Sequence, residues 1–179
     1  MSVHTFKKVR PDARGSTDCA ELIKIMSAQE KICLRLLDLA DQERLAVLEG
    51  RVHDLEIATR QKDGLVEEME RLEQRRRTVA RVVCAALSLS PDTSLLELAE
   101  AIEGEDSTRL IELRQRVMDT VARLRESNES NLLLMRKSLD LVRESIRQLR
   151  RSMGTGEVYT SDGRQPVAAT NTVMVDCRA

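Results

Sequence analysis

Between Leu55 and Ala86 one apolar seam runs without an error of spacing. Leu55, Ala58, Lys62, Leu65, Met69, Leu72, Arg76, Val79, Val83 and Ala86 follow one another in alternating steps of three and four. A strand repeats every two residues, so this stretch is a helix. A sustained three–four alternation is the heptad signature of a left-handed coiled coil, which needs a partner helix along its whole length. Lys62 and Arg76 interrupt the seam with charge. Their stems snorkel along apolar surface, and their heads can fix register against a neighbouring helix. Gly64 costs about 1 kcal/mol of helix propensity without breaking the helix.

The rest of the chain supplies partners for that seam. A first helix is expected from about Cys19 to Leu48, with Leu22, Ile25, Met26, Ile32, Cys33, Leu36, Leu39, Ala40 and Val47 on one face. Ser16, Thr17 and Asp18 are each suited to cap it, and Glu21 stands three residues after Asp18. Gly50 is a natural stop before the second helix, about Val52–Leu87. Pro91 marks a loop. Asp92, Thr93 and Ser94 are all candidate caps for a short acidic helix, Leu95–Ile102, ended by Gly104. A third long helix is expected from about Ser107 to Ser152, roughly 70 Å at 1.5 Å per residue. Its seam starts with Leu110, Val117, Val121 and Leu124 and finishes with Leu132, Met135, Leu139, Val142, Ile146, Leu149 and Met153. The four-and-four spacing of Leu124, Asn128 and Leu132 reads as a stutter, which locally unwinds a supercoil.

The expected fold is therefore all-α: an elongated, antiparallel three-helix coiled-coil bundle with a short extra helix and flexible termini. Residues 1–17 read as a disordered basic arm, 18–153 as the bundle and 154–179 as a flexible tail rich in Gly, Ser and Thr. Short connections favour antiparallel neighbours. The single Phe (Phe6), the single Tyr (Tyr159) and the lack of Trp imply a long, thin core of Leu, Val, Ile, Ala and Met.

Charge and chemistry narrow the function. The net charge of −1 gives no overall pull toward nucleic acid or anionic membrane. It is unevenly placed: Ser88–Asp106 has acidic residues and no Lys or Arg, whereas Ser107–Ser152 is strongly basic. Arg75–Arg77 and the group Arg143, Arg147, Arg150 and Arg151 lack the aromatic platforms of a single-strand binder, so nucleic-acid binding is not expected. Cys19, Cys33, Cys84 and Cys177 form no Cys-x-x-Cys pair, which signals neither zinc nor a thioredoxin-type site. No cofactor or metal is expected. Met1–Thr17 lacks an apolar core, and Val79–Leu87 is too short to span a bilayer, so a cytoplasmic chain with no membrane insertion is expected. His4 and His53 stand alone. Glu67, Glu68 and Glu70 read as a solvent face paired with Arg71 and Arg75, and a thin bundle offers no evident cleft. An enzyme is not expected. Leu139, Val142, Ile146 and Leu149 form an apolar stripe that a partner would cover if this helix outruns its neighbours.

Three stretches resemble the FlgN family of flagellar export chaperones. One is the leucine-spaced helix Cys19–Leu48. Another is the rhythm of Leu55, Lys62, Leu65, Leu72 and Arg76. The third combines Asn128-Glu-Ser-Asn131-Leu-Leu-Leu134 and Leu139 with Tyr159-Thr-Ser-Asp-Gly163-Arg164. The likeness covers roughly Asp18–Arg164. It implies a cytoplasmic chaperone of flagellar type III export that binds hook-associated, hook–filament junction proteins. Such a chaperone prevents premature assembly and delivers its cargo to the export gate. The resemblance places cargo binding on Leu139, Val142, Ile146 and Leu149 and on the tail, and docking at an export-gate protein on Tyr159. The alternative from a different class is a structural coiled-coil tether or scaffold, which would stay a dimer or larger in solution.

Overall fold

The computed structural model describes residues 13–154. The described residues form four helices and no strand: α1 (Ala13–Leu48), α2 (Val52–Ala86), α3 (Leu95–Ala101) and α4 (Glu105–Gly154). The fold is all-α. By its internal contacts the chain divides into two compact units, Met1–Ser138 and Leu139–Ala179.

In the first unit the helix ends follow local chemistry. α1 begins at Ala13, six residues before the expected start, so Ser16, Thr17 and Asp18 lie inside it rather than capping it. Its end is a Schellman turn: the Arg51 N–H donates to Ala46 O at 2.8 Å and the Gly50 N–H to Val47 O at 3.3 Å. Gly50 takes φ +68°, the left-handed region where a side chain is strained. α2 ends the same way, with the Leu89 N–H on Cys84 O at 2.8 Å and the Ser88 N–H on Ala85 O at 3.1 Å. Here a serine, at φ +56°, occupies the glycine position. Of the three candidate caps for α3, Ser94 is the one used. Its hydroxyl accepts from the Glu97 N–H at 3.3 Å, while Glu97 accepts from the Ser94 N–H at 2.9 Å. This reciprocal pair satisfies two N–H groups that the helix start leaves open.

Packing follows the seams, with polar residues included. α1 buries Cys19, Leu22, Met26, Gln29, Cys33, Leu36, Ala40 and Glu43 in strict three–four alternation. On α2 the expected seam faces inward from Leu55 to Val83. At the helix end Leu87 is buried and Ala86 is exposed, because the terminal turn changes the phase. Pairs between α1 and α2 link rising numbers in one to falling numbers in the other: Glu21 with Arg75, Gln29 with Glu73, and Glu43 with Lys62. α4 meets α1 in rising order, from Glu30 with Arg116 to Ala40 with Asn131.

A cluster of buried apolar residues lies where α3 packs on the other three helices. There Cys19 and Leu22 meet Val83, Cys84, Leu98, Ile102, Leu110 and Leu113, each at most 2% exposed. α3 is thus an apolar plug that turns its acidic side chains outward.

The α4 seam in the first unit differs from the expectation. The inward positions run Leu110, Leu113, Val117, Thr120, Leu124, Ser127, Asn131, Leu134 and Ser138, alternating threes and fours with no stutter. Asn131 is 2% exposed, whereas Leu132 is 49% exposed. A continuous helix keeps its phase whatever residue falls on the inner face, so the run Leu132–Leu134 does not pull the seam onto itself.

Candidate partner-binding site

The described part of the second unit is the helical segment Leu139–Gly154. It is held locally: Arg143 lies 3.5 Å from Asp140 and Arg147 3.1 Å from Glu144, both three residues apart. Ser145 Oγ donates to the Leu141 carbonyl at 2.9 Å. Each exposed ion pair is worth only a few tenths of a kcal/mol.

The candidate cargo residues share one face of this segment and are open to solvent. Leu139 is 55% exposed, Val142 55%, Ile146 44% and Leu149 60%. Met153 continues the spacing, and both it and Leu141 are more exposed still. Fully burying a Leu or Ile is worth about 1.5–3 kcal/mol, so covering these half-exposed side chains offers roughly 1 kcal/mol each. Part of that gain is consumed by ordering two partners. Tyr159, the candidate docking residue, lies outside the described residues, as do His4, Phe6 and Cys177.

The charged seam residues lie in the first unit, in two polar layers. In one, the Lys62 ammonium donates to Glu43 Oε2 at 2.6 Å and to Asn128 Oδ1 at 3.0 Å. Asn131 lies in the same stretch of α4 and donates to the Ala40 carbonyl at 2.6 Å, while its Oδ1 is buried without a partner. In the other, Glu73 accepts from Arg76 and Arg77 at 2.8 Å and from Gln29 at 3.2 Å. Hydrogen bonds from Arg76, opposed by partial burial, hold the Glu73 carboxyl at about 2. Lys62 therefore pairs with α1, whereas Arg76 reaches α1 only through Glu73. The expected pairing of Glu67, Glu68 and Glu70 with Arg71 and Arg75 does not form; Arg75 bonds Glu21 instead. Sequence reading missed Gln29, Glu43, Thr120 and Asn131 as interior residues. The signal that finds them is heptad spacing counted without regard to polarity.

Little in these groups suits bond-making chemistry. His53 is exposed. Burial raises the Cys19 thiol to about 11, helped by Asp106 and Asp18, and also raises Cys33 and Cys84. A thiol held protonated is a poor nucleophile. Among the described residues no group of three or more His, Cys, Asp or Glu is placed to hold a metal ion, and no helix is long and apolar enough to cross a membrane. The first unit does contain an open groove of about 420 Å³, which the sequence did not suggest.

A family model described as FlgN protein matches residues 18–166. No curated protein and no solved structure matches the chain.

Proposed function

The chain belongs to the FlgN family, and from that premise we propose that it is a cytoplasmic chaperone of flagellar type III export. Its cargo is a hook-associated protein of the hook–filament junction, which it keeps from assembling early and delivers to the export gate. The observation that carries this reading, beside the family, is the exposed apolar face of Leu139, Val142, Ile146 and Leu149. Partners that build helical filaments present amphipathic helices, and a chaperone competes by offering such a helix an apolar face. Tyr159 is the export-gate contact in this reading. Residues 18–153 are read as the helical region, with the basic arm before it and the tail after it, and the order of the α1–α2 and α1–α4 pairs supports an up-down-up three-helix bundle in the first unit. The protein works by binding and not by catalysis.

The scaffold alternative needs the heptad seam of α2 to recruit a second chain. That seam instead meets α1 within the chain, where its Lys62 bonds Glu43, and Gln29 bonds Glu73 beside it.

The test is calorimetric titration of the full chain with purified hook-associated proteins. The double variant Leu139→Asp/Ile146→Asp should bind at least about tenfold more weakly. Its thermal melt should be unchanged, because exposed positions contribute within about 0.5 kcal/mol to stability. Undiminished affinity after removal of residues 138–179 would sink the site assignment.

A further inference from the structure

The groove in the first unit points to a second binding surface, separate from the apolar face of Leu139–Met153. Met26, Cys33 and Leu36 of α1, all buried, form its floor. Met69 of α2 lines one wall and Met118 of α4, 49% exposed, the other. Methionine is unbranched and polarisable, and it recurs on surfaces that adapt to more than one partner. About 420 Å³ accommodates the few apolar anchors that one face of a short helix presents.

The groove also contains one uncommitted charge. Of its charged lining residues, Glu73 is saturated by Arg76, Arg77 and Gln29, and Arg76 is held by Glu73. Arg114 lines the same groove and forms no hydrogen bond or ion pair with any described residue. Its helical neighbours explain why. Leu110, Ile111, Val117 and Met118 fill the positions three and four residues away, so no carboxylate of α4 can reach it. Arg116, two residues on, meets both Glu30 and Glu112. A half-buried guanidinium beside apolar walls gains most from an incoming carboxylate.

We propose that this groove docks an amphipathic helix of a partner protein whose apolar anchors enter between α2 and α4 and whose acidic residue pairs with Arg114. Charge favours this occupant over the arm and over the helical segment Leu139–Gly154. The arm brings Lys7, Lys8, Arg10 and Arg14 against Asp12, and the helical segment brings Arg143, Arg147, Arg150 and Arg151 against Asp140 and Glu144. Each would set a net excess of cations beside Arg114. All of the groove's lining residues belong to the first unit, so none of them is among the proposed cargo residues.

Two side-chain-stapled helical peptides test this against the full chain with carbon-13-labelled methionine methyls. Both have leucines on one face; one is flanked by Glu, the other by Lys. The Glu peptide should shift the Met69 and Met118 methyls and leave Met153 unmoved. It should bind equally to the Leu139→Asp/Ile146→Asp variant, which separates this surface from the cargo site. Arg114→Glu should weaken the Glu peptide about tenfold and favour the Lys peptide. Arg114→Gln, a gentler change checked by helicity, should give the loss without the reversal. The proposal is overturned if the Glu peptide does not bind, if both peptides bind alike, or if only Met153 responds. Sedimentation showing a dimer that Met118→Lys dissociates also overturns it, because the groove then holds a second copy.

Discussion

The Lys62–Glu43 pair offers the sharpest test of how the first unit is held together. The side chains are 17% and 8% exposed and their charged atoms lie 2.6 Å apart. Lys62→Met keeps the stem and removes the charge. It strands the Glu43 carboxylate without its cation, and breaking a buried pair in this way costs about 3 kcal/mol. Glu43→Leu should cost about 1.5 kcal/mol, because the freed ammonium retains Asn128 Oδ1 at 3.0 Å and can swing toward water. The double variant replaces both charges by apolar groups and loses only the bond to Asn128, about 1 kcal/mol. The three values together imply a coupling energy of about 3.5 kcal/mol. Urea unfolding of the four proteins, followed by far-ultraviolet circular dichroism, measures each term, provided the slopes match. A coupling below about 0.5 kcal/mol would refute the reasoning, since that is the worth of a solvated surface pair.

Two further outcomes follow from the packing of the first unit. Glu73 has its carboxyl depressed to about 2 by Arg76 and its other donors, so its contribution is present above the unfolded value near 4.5 and is lost as pH falls from there toward 2. Discounted for solvent screening, that loss is about 1–2 kcal/mol, and a Glu73→Gln variant should show a correspondingly flatter stability–pH curve in this window. Ser88→Gly should stabilise the chain by about 1 kcal/mol in the same urea assay, because glycine adopts φ +56° without the clash a side chain brings.

How far the sequence could be read depended on whether polarity or spacing was followed. The α2 seam was legible because nearly all of it is apolar, and the two exceptions were too regularly placed to dismiss. On α1 an apolar count skips Gln29 and Glu43, although steps of three and four from Cys19 land on both. On α4 an apolar count places the seam on Leu132 and implies a stutter that the helix does not have. Asn131 and Ser127 hold the inner positions, which no hydropathy count selects. The exposure of Leu139, Val142, Ile146 and Leu149 was readable only as a condition, since spacing groups residues on a face without saying what covers it. The groove was not legible at all. It depends on how far α2 and α4 stand apart over α1, and on Arg114 having apolar neighbours at every helical contact distance.

The polar seam residues give the helices something that leucines alone do not. A heptad seam of leucines can slide by seven residues and still match leucine with leucine. Slide α2 by one heptad against α1 and Glu43 meets Leu55 or Met69 in place of Lys62. That buries a carboxylate against hydrocarbon, at a cost of several kcal/mol. The same slide takes Glu73 away from Gln29. Asn131 acts similarly on α4: its amide reaches Ala40 O only in the present alignment, and its unpaired Oδ1 lowers stability by about 1–3 kcal/mol in exchange. Two polar layers far apart along α1 thus disfavour slipped pairings that an all-leucine core would tolerate. In the proposed function the partners present amphipathic helices, and against such partners an interchangeable seam would pair with any of them.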